Sequence, residues 1–326
     1  MNSVIMYAHR RGRRAAVARL CAAIASIALT FGVVGAAGTM TAQAQPGCTL
    51  APTDGTVTVT ISSPLTGSIA VPTTRTYNLY VPPGLSGDVP LLIANHGFLA
   101  NAENMERGSG WSAYAREHHF IVAYSQTLVD GPLVPGLAYL GNVWYVEQNS
   151  IDVAYLKNVV ADISGKYCID PKRVYNTGHS QGSIMAQRMA CDAADIFAAV
   201  GSWAGADPTF PTAFGSTVPT PCTPSRPIAV GIFQGQDDPY STDEGIGPDN
   251  IRAWTARNGC PTAPTSTSTD QFGTTREYVP CRAGITEVWR VMVGVAHQWP
   301  GGSPDNPRAE DLRNHIWNYL TAHPMP

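Results

Sequence analysis

The chain has 326 residues, 14% of them charged, with a formal net charge of −3. One catalytic domain suffices at that length, because α/β folds run to about 250 residues as a single unit. Residues 1–44 hold five arginines and no acid, so their removal leaves 16 basic against 24 acidic residues, a formal charge of −8. That argues against a nucleic-acid partner, since phosphate binding needs clustered positive charge.

Residues 9–14 read HRRGRR, Arg19 follows, residues 20–37 are largely apolar, and Ala42-Gln43-Ala44 ends the segment. A basic flank, an apolar centre and an A-x-A site mark a secretory signal peptide over residues 1–44, cleaved before Gln45, with residues 45–326 as the catalytic domain. An uncleaved anchor is the alternative, because 18 apolar residues approach the length that spans a bilayer. The Ala and Gly content and the adjacent small-residue site favour cleavage. The paired arginines leave twin-arginine export open. No other segment is apolar enough over that length, so no membrane contact is expected after cleavage.

Cysteine usage agrees with export. Cys21 lies in the signal, which leaves Cys48, Cys168, Cys191, Cys222, Cys260 and Cys281. Six cysteines allow fifteen pairings, and no C-x-x-C or C-x-x-H spacing points to zinc, so an oxidised framework is the reading. Cys260 and Cys281 flank a Thr/Ser-rich loop, which favours that pair.

Along the mature chain, residues 56–62 and 75–81 alternate in polarity and predict antiparallel strands at a sheet edge. Apolar runs at 91–94, 120–124, 173–176, 198–203, 228–233 and 288–293 predict strands buried on both faces, as in a parallel sheet. Helical patterns cover 152–167, 182–191, 250–258 and 309–320. Strands alternating with helices define a layered α/β domain. The Pro/Thr/Ser-rich stretches 210–227 and 261–269 read as surface excursions, and loops 101–110 and 131–142 would border a pocket mouth.

Gly178-His179-Ser180-Gln181-Gly182 lies where a strand ends and a helix begins, the setting of a G-x-S-x-G nucleophile turn. The turn is so tight that side chains two residues either side of the serine would clash, and glycines relieve this. The following helix aims its positive end at developing negative charge. Serine is a poor nucleophile alone and needs a base and an orienting acid, which follow in the order Ser, Asp or Glu, His. Of the downstream histidines, His315 lies in the terminal helical pattern and His323 near the chain end, both expected at the surface. His297 follows the strand at 288–293, where a loop-borne base belongs. The strand at 228–233 leads into Asp237 and Asp238, between which spacing does not choose. The amides of Gln181 and Phe98 are the expected oxyanion donors. His96 and His179 are expected to pack or hydrogen-bond around the turn. Among loop aromatics, Trp299 and then Trp203 are the expected substrate contacts.

His96-Gly97, YCIDPKRVYNTGHSQGSIMAQRMAC (167–191), Asp238-Pro239, Asn258-Gly-Cys260, Cys281 and AHQWPGG (296–302) together resemble the secreted esterases grouped with polyhydroxybutyrate depolymerases and feruloyl esterases, close to carbohydrate esterase family one. The resemblance implies an α/β-hydrolase fold, a single domain with a mostly parallel central sheet and helices on both faces. The family's H-G-T-x-D-P segment places the acid at Asp238, although Gln234 and Gln236 stand here for the family's His and Thr. It also implies the pairs Cys191–Cys222, Cys260–Cys281 and Cys48–Cys168. FLANAEN after His96-Gly97 departs from the family pattern, so pocket details do not transfer.

The expected activity is carboxylic ester hydrolysis through an acyl-enzyme, on polyhydroxybutyrate-type esters or feruloyl or acetyl polysaccharide esters. No metal, cofactor or obligate protein partner is required, and location outside the cytoplasm follows from the signal. The alternatives are an acyltransferase that passes the same acyl group to another alcohol, and a non-catalytic cell-wall or carbohydrate-binding protein on a hydrolase scaffold.

Overall fold

The β-branched and apolar runs form a ten-stranded mixed sheet. In the computed structural model, residues 47–63, 74–128, 142–210, 219–240 and 246–326 are described. The expected signal at 1–44 and nearly all of the loop at 131–142 lie outside them. Residues Ala44–Pro326 form one compact unit.

The strands are β1 (Val57–Ser62), β2 (Thr74–Tyr80), β3 (Val89–Asn95), β4 (Ile121–Ser125), β5 (Ile169–His179), β6 (Ala199–Trp203), β7 (Ala229–Gly235), β8 (Ser266–Thr269), β9 (Gly273–Tyr278) and β10 (Glu287–Met292). Their order is β1-β2-β4-β3-β5-β6-β7-β10-β9-β8. The central six, from β4 to β10, run parallel, and antiparallel pairs close both edges.

Helices α1 (Ala102–Ser109), α2 (Trp111–His118), α3 (Ile151–Lys166), α4 (Gln181–Asp192), α5 (Ile246–Asn258) and α6 (Pro307–Thr321) cover the sheet. Successive strand residues face opposite sides. Leu91 and Ile93 pack with α3, α4 and α5, whereas Leu92 and Ala94 pack with α1, α2 and α6. That double coverage explains why β3 is buried at every position. Each fully buried Leu or Ile there contributes about 1.5–3 kcal/mol.

Two expectations need correction. The segment 101–110 is not a loop: Asn101 caps α1 by accepting from the Asn104 amide, a short-range signal lost in the polar reading of ANAEN. Within 261–269, residues 266–269 form β8, a fully exposed edge strand whose Ser/Thr composition mimics a loop. Residues 219–222 of the other excursion are tied down by the buried Arg188, which donates to Pro221 O (2.7 Å) and Thr220 Oγ1 (2.6 Å). Disulfides join Cys48 to Cys168, Cys191 to Cys222 and Cys260 to Cys281. No helix of the described residues is long and apolar enough to cross a membrane.

Candidate active site

The candidate residues gather at the C-terminal ends of the parallel strands, where open α/β sheets place their sites. Ser180 stands between β5 and α4 at φ 56°, ψ −121°. A non-glycine residue held there costs about 1–3 kcal/mol. The surrounding backbone imposes it: the Ser180 amide donates to Trp203 O (3.1 Å), while Ser180 O accepts from Ser183 and Ile184. The flanking glycines are obligatory. A Cβ on Gly178 would lie 2.2 Å from Gly182 O, and one on Gly182 would lie 2.3 Å from the carbonyl oxygens of Asn95 and His96.

The glycines therefore let α4 start directly against the end of β3. Asn95 fastens that contact, donating from Nδ2 to Asn176 Oδ1 (2.7 Å) and Gly182 O (3.3 Å), and Ser125 Oγ donates to its Oδ1 (2.6 Å). Leu99 and Ala204 also have positive φ, 57° and 55°. Backbone strain thus recurs after β3, β5 and β6, around one point.

His297 reaches Ser180 from the loop after β10. Its Nε2 is 2.7 Å from Ser180 Oγ and its Nδ1 is 2.7 Å from Asp238 Oδ2. An ionised carboxylate only accepts, so Nδ1 carries the proton and Nε2 is left to accept from the serine hydroxyl. Asp238 is 0% exposed, and its other oxygen accepts from the Tyr240 amide (2.8 Å). Asp237 points to solvent while its amide donates to Val295 O (2.9 Å), which binds the acid loop to the histidine loop. Gly235 permits that approach, since a Cβ there would meet Val295 O at 2.1 Å.

Gln181 opens α4, so its amide belongs to the unpaired first turn, and Phe98 follows β3 in the turn Gly97-Phe98-Leu99. A clamp not apparent in the sequence joins these two positions. The Gln181 side chain accepts from the Trp144 amide (3.0 Å) and donates to Trp144 O (3.3 Å), and Trp144 Nε1 donates to His96 O (2.8 Å). Asp152, at the start of α3, holds the Trp144 segment by accepting from the Tyr145 amide (2.7 Å), and it is ion-paired with the buried Arg75 (2.6 Å).

His96 is fully buried. Its Nδ1–H donates to Gly97 O (2.8 Å) and Nε2 accepts from the Thr127 amide (3.3 Å). Burial lowers its pKa to about 4, despite the Gly97 hydrogen bond, which keeps it neutral at ordinary pH. Burial likewise lowers His179 to about 4, with repulsion from His297, 5.2 Å away ring to ring, as the next cause.

Trp203 and Trp299 do not meet the expectation of substrate contact. Trp203 is 0% and Trp299 7% exposed, and they pack edge to face with each other and, through Trp299, with Trp111 on the α6 side of the sheet. Trp203 ends the buried strand β6, and both rings fill core volume on the α6 side instead. The aromatic that faces the cleft is Tyr240, 48% exposed, with its ring 4.8 Å from that of His297. His323 is half-buried: its Nδ1 bonds Tyr319 O (2.8 Å), its Nε2 accepts from the Thr286 amide (3.2 Å), and burial lowers its pKa. Elsewhere Asp270, Asp311 and His315 approach one another, but Arg290 already bonds both carboxylates (2.9 and 2.8 Å).

The sheet order, the double helical cover and the strand-to-helix serine turn define an α/β-hydrolase. The fold is shared with an acetyl xylan esterase from Aspergillus awamori, at TM-score 0.56 and 17% identity over 76% of this chain and 93% of that one. Residues 75–217 match the family model described as Esterase PHB depolymerase. It is 29% identical over 223 residues to feruloyl esterase B of Piromyces equi, spanning 63% of this chain and 39% of that protein. It is also 28% identical over 267 residues to the putative esterase NocK of Nocardia uniformis subsp. tsuyamanensis, spanning 71% of this chain and 72% of that one.

Proposed function

We propose that the protein is a secreted serine esterase that cleaves carboxylic esters of the polyhydroxybutyrate type or feruloyl or acetyl esters of polysaccharides. The observation that carries this reading is the continuous Ser180–His297–Asp238 hydrogen-bond chain, with 2.7 Å at each link. His297 takes the Ser180 proton as Oγ attacks the ester carbonyl, and the amides of Phe98 and Gln181 hold the oxyanion. The protonated imidazole, stabilised by Asp238, then gives its proton to the leaving alcohol. Water attacks the acyl-enzyme by the same route and releases the acid. The esterase names of the relatives support the reaction type, and three disulfides fit an oxidising compartment.

The test compares the purified mature protein with its Ser180→Ala variant on p-nitrophenyl esters, acetylated or feruloylated arabinoxylan and amorphous polyhydroxybutyrate. Ser180→Ala is expected to lower kcat by at least about 1,000-fold with the fold intact. A variant as active as the parent would refute the mechanism.

A further inference from the structure

Phe98 and Gln181 lie on different elements, the turn after β3 and the start of α4. Two amides stabilise a developing charge only when both are held in place before reaction. Residues 142–145 are bonded to both segments. Asn142 O accepts from the amide of Leu99, next to Phe98 (3.0 Å), and the Gln181 side chain bonds the Trp144 amide and carbonyl. Leu99 is held at φ 57°, a conformation that a branched residue adopts only when its surroundings impose it.

The 142–145 segment is itself held at two anchors. At one end, Gln126 Nε2 donates to Asn142 Oδ1 (2.9 Å), and Gln126 Oε1 accepts from the Ala102 amide (2.9 Å), where the Phe98 turn enters α1. At the other end, Asp152 Oδ2 accepts from the Tyr145 amide (2.7 Å). Arg75 bonds both anchors: Nη1 donates to Asp152 Oδ1 (2.6 Å) and Nη2 to Gln126 O (3.0 Å). Its guanidinium lies 3.7 Å from the centre of the Tyr155 ring, and the Tyr155 hydroxyl accepts from the Gln126 amide (3.0 Å). Both Arg75 and Asp152 are buried. Burying two charges costs desolvation that apolar side chains would avoid, so such a pair is a weak source of stability. A planar fork with two donors does something an apolar pair does not: it fixes two acceptors at a set separation.

We infer that Arg75, with Asp152, is a positioning residue for the oxyanion hole. Its two nitrogens set the separation of Gln126 and Asp152. Through Asn142 on one arm and Trp144 on the other, that separation sets the spacing of the Phe98 and Gln181 amides. Arg75 reaches no reacting atom on the proposed mechanism and acts only through these two arms. The inference rests on the esterase reading, and its test separates the two.

The mature protein and its Arg75→Lys variant are assayed on p-nitrophenyl acetate and for inhibition by a trifluoromethyl ketone, whose hemiketal oxygen occupies the place of the oxyanion. Lysine keeps the buried charge but is a single point donor without the fork. Arg75→Lys is expected to lower kcat about tenfold or more with KM nearly unchanged, and to weaken the ketone by a similar factor. In an Asn142→Gly/Trp144→Phe background, where both arms are cut, the same change is expected to cost less than about twofold further. Asn142→Gly alone leaves the ion pair in place and carries the test if Arg75→Lys does not fold; it is expected to lower kcat about fivefold with KM unchanged. A lowered urea midpoint with kcat and ketone binding intact would make the pair merely structural and overturn the inference. So would a change in KM alone, a full tenfold loss in the background with both arms cut, or an unchanged kcat in Asn142→Gly. Each of those outcomes leaves Ser180-dependent ester cleavage standing. If no ester is cleaved in a Ser180-dependent way, the esterase reading falls and the positioning role falls with it.

Discussion

Asp238 and Asp237 are chemically identical neighbours separated by geometry alone. Asp238 is enclosed and bonded to His297 Nδ1, whereas Asp237 faces solvent. Asp238→Asn keeps the size but presents an amide to the imidazole and favours the wrong tautomer, so kcat is expected to drop about 1,000- to 10,000-fold. Asp237→Asn should leave kcat near the parent value, and equal losses would contradict the assignment. Glu287 is a second residue whose surroundings set its chemistry. It is 0% exposed and accepts from Asn258 Nδ2 (2.6 Å), while Oε2 has no partner among the described residues. Burial pushes its pKa well above the ordinary carboxylate value. The folded chain therefore keeps a proton that the unfolded chain releases, and stability falls as pH rises from the unfolded pKa towards the raised one. His96 and His179 act in the opposite sense: lowered to about 4, they cost stability as pH falls from 6.5 through 4. The urea midpoint should peak near about pH 6–7. Glu287→Gln should flatten its alkaline side, and an unchanged slope in that variant would exclude a protonated Glu287.

At the scale of elements, the cleft depends on how the start of α4 is held against the end of β3. Gly178 and Gly182 permit the contact, Asn95 fastens it, and the Gln181–Trp144–His96 clamp orients the turn that carries Phe98. Trp144 touches no reacting atom on the proposed mechanism and is a positioning residue. Trp144→Phe keeps the ring packing but removes the donor to His96 O. Small displacements of a charge-stabilising donor are costly, so kcat is expected to fall about ten- to hundredfold with KM nearly unchanged. A change in KM alone would mean that Trp144 contacts substrate. Glycine at the serine turn was legible because steric exclusion there is local. The Trp144 clamp was not, since its partners are 37 and 48 residues away in the chain.

For the whole molecule, three disulfides close loops of very different size around one sheet. Cys48–Cys168 spans 120 residues and Cys260–Cys281 spans 21. Restricting the unfolded chain grows with the logarithm of the loop, giving about 5 kcal/mol for the first and about 3 kcal/mol for the second. The Cys48→Ser/Cys168→Ser double variant should therefore lower the urea midpoint further than Cys260→Ser/Cys281→Ser, and the reverse order would show that native contacts outweigh loop entropy. The sequence by itself determined the layered α/β fold and the serine turn, because hydrophobic runs and glycine sterics act over a few residues. It also placed His297 and the aspartate pair on loops after late strands, because strand order along the chain is readable. It misread β8 and α1, whose polar composition hides a hydrogen-bonded backbone, and it put Trp203 and Trp299 at the substrate when they fill the core. Only the tertiary structure enclosed Asp238 against His297, buried Glu287 and brought Tyr240 and Ile246 to the cleft beside Ser180. Each of these depends on which side chains from distant segments share a volume, and packing of that kind leaves no periodic mark along the chain.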